Sequence, residues 1–93
     1  LDSMQAQAYL NLGRVLAEKY DELDQAAGSM SQAEYNKYAF ETLRPILKEA
    51  AENFEQSYKI NEEMTDALRY LKNIYYVLND ADNLKRVEDL LKY

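Results

Sequence analysis

Glycine and proline are scarce in this chain, whose 93 residues include two glycines and one proline. A sheet protein needs many turns, and tight turns depend on these residue types. Apolar residues make up 47% of the chain, which excludes a disordered polypeptide and is enough for one small hydrophobic core. The composition therefore predicts a single all-α domain.

The charge balance is acidic, with a formal net charge of −6 at pH 7. Nucleic-acid binding requires a basic surface that displaces counterions, and anionic membranes attract basic amphipathic helices. No apolar run approaches the roughly 20 residues that span a bilayer. We therefore expect no nucleic-acid partner and no membrane insertion.

Cysteine and histidine are both absent from the sequence. Their absence removes thiolate metal sites, cysteine nucleophiles and the commonest general base. Several glutamates lie close together, but Glu52 is spaced to pair with Lys48 or Gln56 on a helix surface. Glu55 is spaced to pair with Lys59 in the same way. We expect no catalysis, no metal and no cofactor.

Apolar residues recur at three- and four-residue spacing and predict four helices. The expected ranges are about 2–26, 32–59, from 63 or 65 to 78, and 80–92. The inward faces of the first two helices are predicted to be Met4, Ala8, Leu12, Val15, Leu16 and Leu23, then Tyr35, Ala39, Leu43, Ile46, Leu47, Ala50, Phe54 and Tyr58. Those of the last two are Leu68, Leu71, Ile74, Tyr75 and Leu78, then Leu84, Val87 and Leu91.

The expected helix ends have local signals. Gly28 suits a left-handed cap after the first helix, and Ser31 with Glu34 forms a capping-box pattern. Asn79 tolerates the left-handed conformation, and Asp80 is a good N-cap for the last helix. The connections are short, so consecutive helices should be antiparallel neighbours.

Pro45 lies inside the second predicted helix. A proline there removes one backbone hydrogen bond and clashes with the preceding turn. The helix either breaks near Arg44 or continues with a kink. We favour the kinked continuous helix, because the apolar pattern keeps its phase on both sides of the proline.

Several residues match the tetratricopeptide repeat pattern at its helix-packing positions. They are Tyr9, Leu12 and Gly13 in one first helix, Ala50 and Phe54 in its second helix, and Leu68, Leu71 and Tyr75 in the next first helix. The chain therefore resembles the tetratricopeptide repeat (TPR) family, and in particular the C-terminal repeat region of bacterial members. Lys72, Leu84 and Glu62 depart from the family pattern, which has glycine, alanine and proline there.

The resemblance implies a right-handed α-α superhelix fragment with four antiparallel helices in a single domain, 1–93. Residues 1–61 would form an elongated hairpin and residues 62–93 a C-terminal repeat hairpin. In this family the first helix of each hairpin lines a groove that binds extended peptides. The resemblance thus implies a non-catalytic scaffold for protein–protein interaction.

The candidate peptide-binding residues are Arg14, Arg69, Asn73 and Tyr76. Arg69, Asn73 and Tyr76 recur at three- and four-residue spacing and share one helix face. Guanidinium and amide donors suit a peptide carboxylate. The alternative is a solvated polar face on which Arg69 pairs with Asp66 or Asn73.

A second hypothesis is a homo-oligomerisation bundle or a structural part of a larger protein. Repeat arrays need about three repeats for stability, so apolar faces left open here would pair in a homodimer or pack on other parts of the parent chain. The chain begins without an initiator Met, so we expect a trimmed or processed piece. The compartment, cytoplasmic or periplasmic, stays open.

Overall fold

The computed structural model describes residues 2–92, and Leu1 and Tyr93 lie outside the described residues. The α-helices are α1 (Asp2–Ala26), α2 (Gln32–Tyr38), α3 (Arg44–Ile60), α4 (Thr65–Leu78) and α5 (Ala81–Leu91). A π-helical segment, Ala39–Leu43, joins α2 to α3 without a break. Residues 2–92 thus form four helices and no strand, with α2, the π-helical segment and α3 counted as one continuous helix. This confirms the all-α prediction and the predicted helix ranges.

Consecutive helices among these four run antiparallel. Ser57 near the end of α3 donates a buried hydrogen bond of 2.7 Å to the carbonyl oxygen of Ala6 near the start of α1. Arg44 at the start of α3 donates to the carbonyl oxygen of Leu78 at the end of α4, at 3.4 Å. α3 therefore lies between α1 and α4, and α5 folds back on α4.

The hydrophobic core is centred on Phe54 of α3, which is fully buried. Leu68, Leu71 and Ile74 of α4 lie in the same core, as predicted. Val87 of α5 is fully buried, while Leu84 and Leu91 pack against the core from its edge. The inward faces predicted for the last two helices are confirmed.

The inward face predicted for the first helix is wrong at Met4, Ala8, Leu12 and Val15, although Leu16 packs against the core as predicted. Met4, Leu12 and Val15 are exposed, whereas Ala6 and Leu10 of α1 are buried. Gly13 is buried as well, and it presses on Phe54 so closely that an added Cβ would lie 2.7 Å from a ring carbon. α1 has apolar residues on two sides, and the side with small residues lies inward because it lets α1 approach α3 closely.

Helix ends follow their local signals with one exception. The Ser31–Glu34 capping box forms, and Asn79 adopts the left-handed conformation with φ 62°. The side chain of Asp80 accepts a hydrogen bond from the backbone of Asn83, which confirms the predicted N-cap. The left-handed cap predicted at Gly28 is wrong: Gly28 belongs to a 3₁₀ turn, Ala27–Ser29, and has no positive φ.

Pro45 is accommodated by the π-helical segment that precedes it. The N–H of Arg44 donates to the carbonyl of Ala39, five residues back, instead of the usual four. A wider turn relieves the crowding that proline causes in a regular helix, and such segments are typical sites where helices bend. The predicted continuity through Pro45 is confirmed, and the kink remains a prediction.

Candidate functional site

A surface groove lies between α1 and α4, with a cavity volume of about 370 Å³. Leu10 and Arg14 line it from α1. The α4 side consists of Asp66, Arg69, Tyr70 and Asn73. The groove therefore has an apolar base beside a polar rim that carries two guanidinium groups and one amide.

Phe54 positions both walls of the groove. On one side its ring contacts the backbone of α1 at Gly13. On the other it stacks on Tyr70 of α4, with ring centroids 4.6 Å apart and an interplanar angle of 3°. Since the same buried ring touches both helices, their separation at the groove is set by the core of the domain.

Three of the four candidate residues meet in this groove. Arg14, Arg69 and Asn73 all line it, although Arg14 is more than fifty residues away from the other two in sequence. Tyr76 is 74% exposed on α4 and does not line the cavity. Its neighbour Tyr75 is 7% exposed and belongs to the core, as predicted.

The guanidinium groups of the groove are available to a ligand. Arg69 pairs with Asp66 at 3.1 Å, but both side chains are largely exposed, and such pairs contribute only about 0–1 kcal/mol. Arg14 makes no ion pair among the described side chains, those of residues 4–92. A bound anion could therefore replace Asp66 on Arg69 at little cost and recruit Arg14 as well.

Leu10 and Tyr70 line the groove but were not among the predicted site residues. Leu10 was missed because the pattern of α1 was interpreted in the wrong phase. Ala6, Leu10 and Gly13 recur at helical spacing, but so do the exposed apolar residues of α1, so periodicity alone does not separate the two sides. Tyr70 also carries no distinguishing signal in the sequence.

A larger cleft, of about 1200 Å³, runs along α3 beside the turn between α4 and α5. Its charged lining residues are mainly acidic, with Glu49, Glu52, Glu55, Asp80 and Asp82 against Arg44 and Lys48. Asp80 is already used as the N-cap of α5, and hydrogen bonds from Asn83 hold its pKa below the ordinary value. Among the side chains that the structure describes, residues 4–92, no group of Asp or Glu is arranged to hold a metal ion.

Glu55 in this cleft ties three helices together. It accepts hydrogen bonds from the Tyr75 hydroxyl of α4 and from the Arg86 guanidinium of α5. The pairing of Glu55 with Lys59 expected from helix spacing is therefore wrong. Burial lowers the pKa of Arg86, but the hydrogen bond to Glu55 outweighs it and leaves that pKa raised. This cluster is structural, and the groove between α1 and α4 is the better candidate site.

No family model, curated protein or solved structure matches this chain. In the part of the chain that the structure describes, no helix has both the length and the apolar surface needed to cross a membrane. The function must therefore be argued from the groove and the helices that build it.

Proposed function

We propose that this chain is a peptide-interaction module of the tetratricopeptide type, which binds the carboxylate of an extended peptide in the groove between α1 and α4. The observation that carries the proposal is the convergence of Arg14, Arg69 and Asn73 on one groove from two different helices. Planar guanidinium groups and an amide offer several donors to a single carboxylate, and such charge-assisted bonds are the strong ones.

The family resemblance supports the same proposal. Gly13 and Phe54 both match the repeat pattern, Gly13 as a small residue and Phe54 as an aromatic one. In the structure Gly13 lies against Phe54, so the two residues allow close packing of their helices. Successive helices run antiparallel and contact mainly their neighbours, as in a stacked repeat. The role is one of binding, with the groove residues as donors and no chemical step.

The groove can be tested with a library of fluorescently labelled extended peptides that end in a free carboxylate, compared with the same peptides amidated. Peptides that bind should lose about tenfold or more in affinity when amidated, because amidation removes the carboxylate charge. A hydrogen bond to a charged group contributes about 1.5–3 kcal/mol. The double variant Arg14→Gln/Arg69→Gln should cause a similar loss. Fluorescence anisotropy measures both.

Lys72→Gln is the matched control, because Lys72 is an exposed cation on α4 outside the groove lining. It should leave peptide affinity unchanged, and all variants should keep the melting temperature of the parent chain. If no peptide of the library binds, or if amidation and the double variant have no effect, the proposal is wrong. Unfolding of the double variant would instead show that the two arginines are structural.

A further inference from the structure

The outward side of α1 carries an apolar stripe formed by Met4, Ala8, Leu12 and Val15. These residues follow one another at four-, four- and three-residue spacing, so they lie in a row on one helix face. Met4 is 74% exposed, Leu12 53% and Val15 62%, and Ala8 is also exposed. We call this row the outer stripe; it lies opposite the face of α1 that packs on α3.

The outer stripe has uncharged surroundings at Met4, Ala8 and Leu12, and exposed charged residues, Glu18 and Lys19, adjoin it at Val15. Residues 3–13 include no Asp, Glu, Lys or Arg, although such residues make up 30% of the chain. Gln5, Gln7 and Asn11 are exposed beside the first three residues of the stripe, and Gln7 donates a 3.0 Å hydrogen bond to Asn11. A solvent-facing helix surface normally carries charges, and depletion of charge around exposed apolar residues is typical of an interface.

We propose that the outer stripe pairs with the outer stripe of a second copy of this chain, with the two α1 helices antiparallel across a twofold axis. The chain has a net charge of −6, so two copies repel each other on average where their charged surfaces meet. The stripe itself has no charged residue, so two copies can meet there without bringing like charges into contact. A two-fold pairing needs such a self-complementary face.

Side-chain size favours the antiparallel arrangement. An axis midway along the stripe brings Met4 opposite Val15 of the second copy, and Ala8 within one residue, about 1.5 Å along the axis, of Leu12 of the second copy. A small residue then faces a large one, as in interdigitated helix packing. Lys19 and Glu22, which are exposed farther along α1, extend past the overlapping segment. Parallel pairing would instead put Ala8 opposite Ala8 and leave a gap.

The pairing is weak and reversible. The stripe extends over about 16 Å of helix, at about 1.5 Å per residue. Two such faces bury less than the roughly 1,600 Å² of a standard specific interface, so the dimer dissociates in the micromolar range or above. Pairing through the outer stripe leaves the groove between α1 and α4 to its own ligand, so the two proposals stand independently.

Sedimentation equilibrium from about 10 µM to about 1 mM tests the pairing, since small interfaces dissociate in this range. The average mass of the parent chain should rise from 10.9 kDa towards twice that value. Leu12→Glu should keep the chain monomeric, because it places two carboxylates in the interface. Phe40→Glu is the matched control: Phe40 is 72% exposed, lies outside the stripe, and its variant should still associate.

A parent chain that stays monomeric up to about 1 mM would overturn the proposal and leave the stripe to a helix of another protein. Association that survives Leu12→Glu would also overturn it. Because the chain has no cysteine, disulfide trapping tests the orientation. A mixture of Met4→Cys and Val15→Cys proteins should form mixed disulfides, whereas preferential bonding between two Met4→Cys copies would show parallel pairing and overturn the antiparallel arrangement.

Discussion

Gly13 and Phe54 are the pair of residues on which the architecture most depends. The missing side chain of Gly13 leaves room for the Phe54 ring, and the ring in turn stacks on Tyr70. Glycine inside a helix costs about 0.5–1 kcal/mol relative to alanine. That cost is offset by the close approach of α1 and α3, which buries a large aromatic ring completely.

We expect Gly13→Ala to lower the free energy of unfolding by about 1–2 kcal/mol. Alanine improves helix propensity, but its methyl group would meet three Phe54 ring carbons within 2.9 Å, and overpacking of this kind costs about 1–3 kcal/mol. The ring is fully buried and stacked on Tyr70, so moving it aside would disturb that contact. Urea unfolding followed by circular dichroism measures the change.

Gly28→Ala is the control for this prediction. A Cβ at Gly28 meets nothing within 4 Å, and Gly28 has no positive φ. This variant should be neutral or slightly stabilising, since alanine restricts the unfolded chain. Equal stability of the two variants would refute the packing role assigned to Gly13.

At the scale of helices, α5 is held to the domain by a small apolar contact and one polar cluster. Val87 is its fully buried apolar anchor. The cluster consists of Glu55, Tyr75 and Arg86, one residue from each of α3, α4 and α5. Helices with few buried contacts open locally at low cost, so the polar cluster decides how firmly α5 stays docked.

Glu55→Gln should increase the local opening of α5 by about two- to fivefold. The loss of charge weakens both hydrogen bonds, and partial exposure of Glu55 and Arg86 limits the effect to about 0.5–1 kcal/mol. Hydrogen exchange followed by NMR should show faster exchange of α5 amides, with the amides of α3 unchanged. Glu52→Gln, an exposed position on the same helix, should not have this effect. Equal exchange in both variants would contradict the role of Glu55.

For the molecule as a whole, tyrosine–carboxylate hydrogen bonds join elements at two separate places. Tyr35 of α2 donates to Asp24 of α1, which raises the pKa of Tyr35 to about 12. Burial, and then the hydrogen bond to Glu55, raises the pKa of Tyr75 well above its ordinary value. Both hydroxyl groups must keep their protons to donate these bonds.

Stability should therefore decrease at alkaline pH. An unfolded tyrosine has a pKa of about 10. The folded state holds its protons more tightly, so the stabilisation is complete below pH 10 and is lost as the pH rises towards 12. Urea unfolding at several pH values should show this decline. Tyr35→Phe should make it less steep, because phenylalanine has no proton to lose, and an unchanged slope would contradict the assignment.

The sequence alone determined the features that depend on residues within one or two helical turns. Helix ranges, the Ser31 capping box, the left-handed Asn79 and the Asp80 cap all follow from hydrogen bonds that span three or four residues. The inward faces of α4 and α5 were also predictable, because the longest run of apolar residues at helical spacing in each helix is the buried one. Three groove residues were proposed from spacing and family resemblance.

Only the tertiary structure decided which of two apolar sides of α1 lies inward, since both have helical periodicity. Contact with α3 selected the side with Ala6 and Gly13, because small residues allow the helices to approach closely. The same packing brought Arg14 and Arg69 to one groove, gave Glu55 its partners on α4 and α5, and left the outer stripe exposed. These features join residues far apart in sequence, and local spacing carries no information about such contacts.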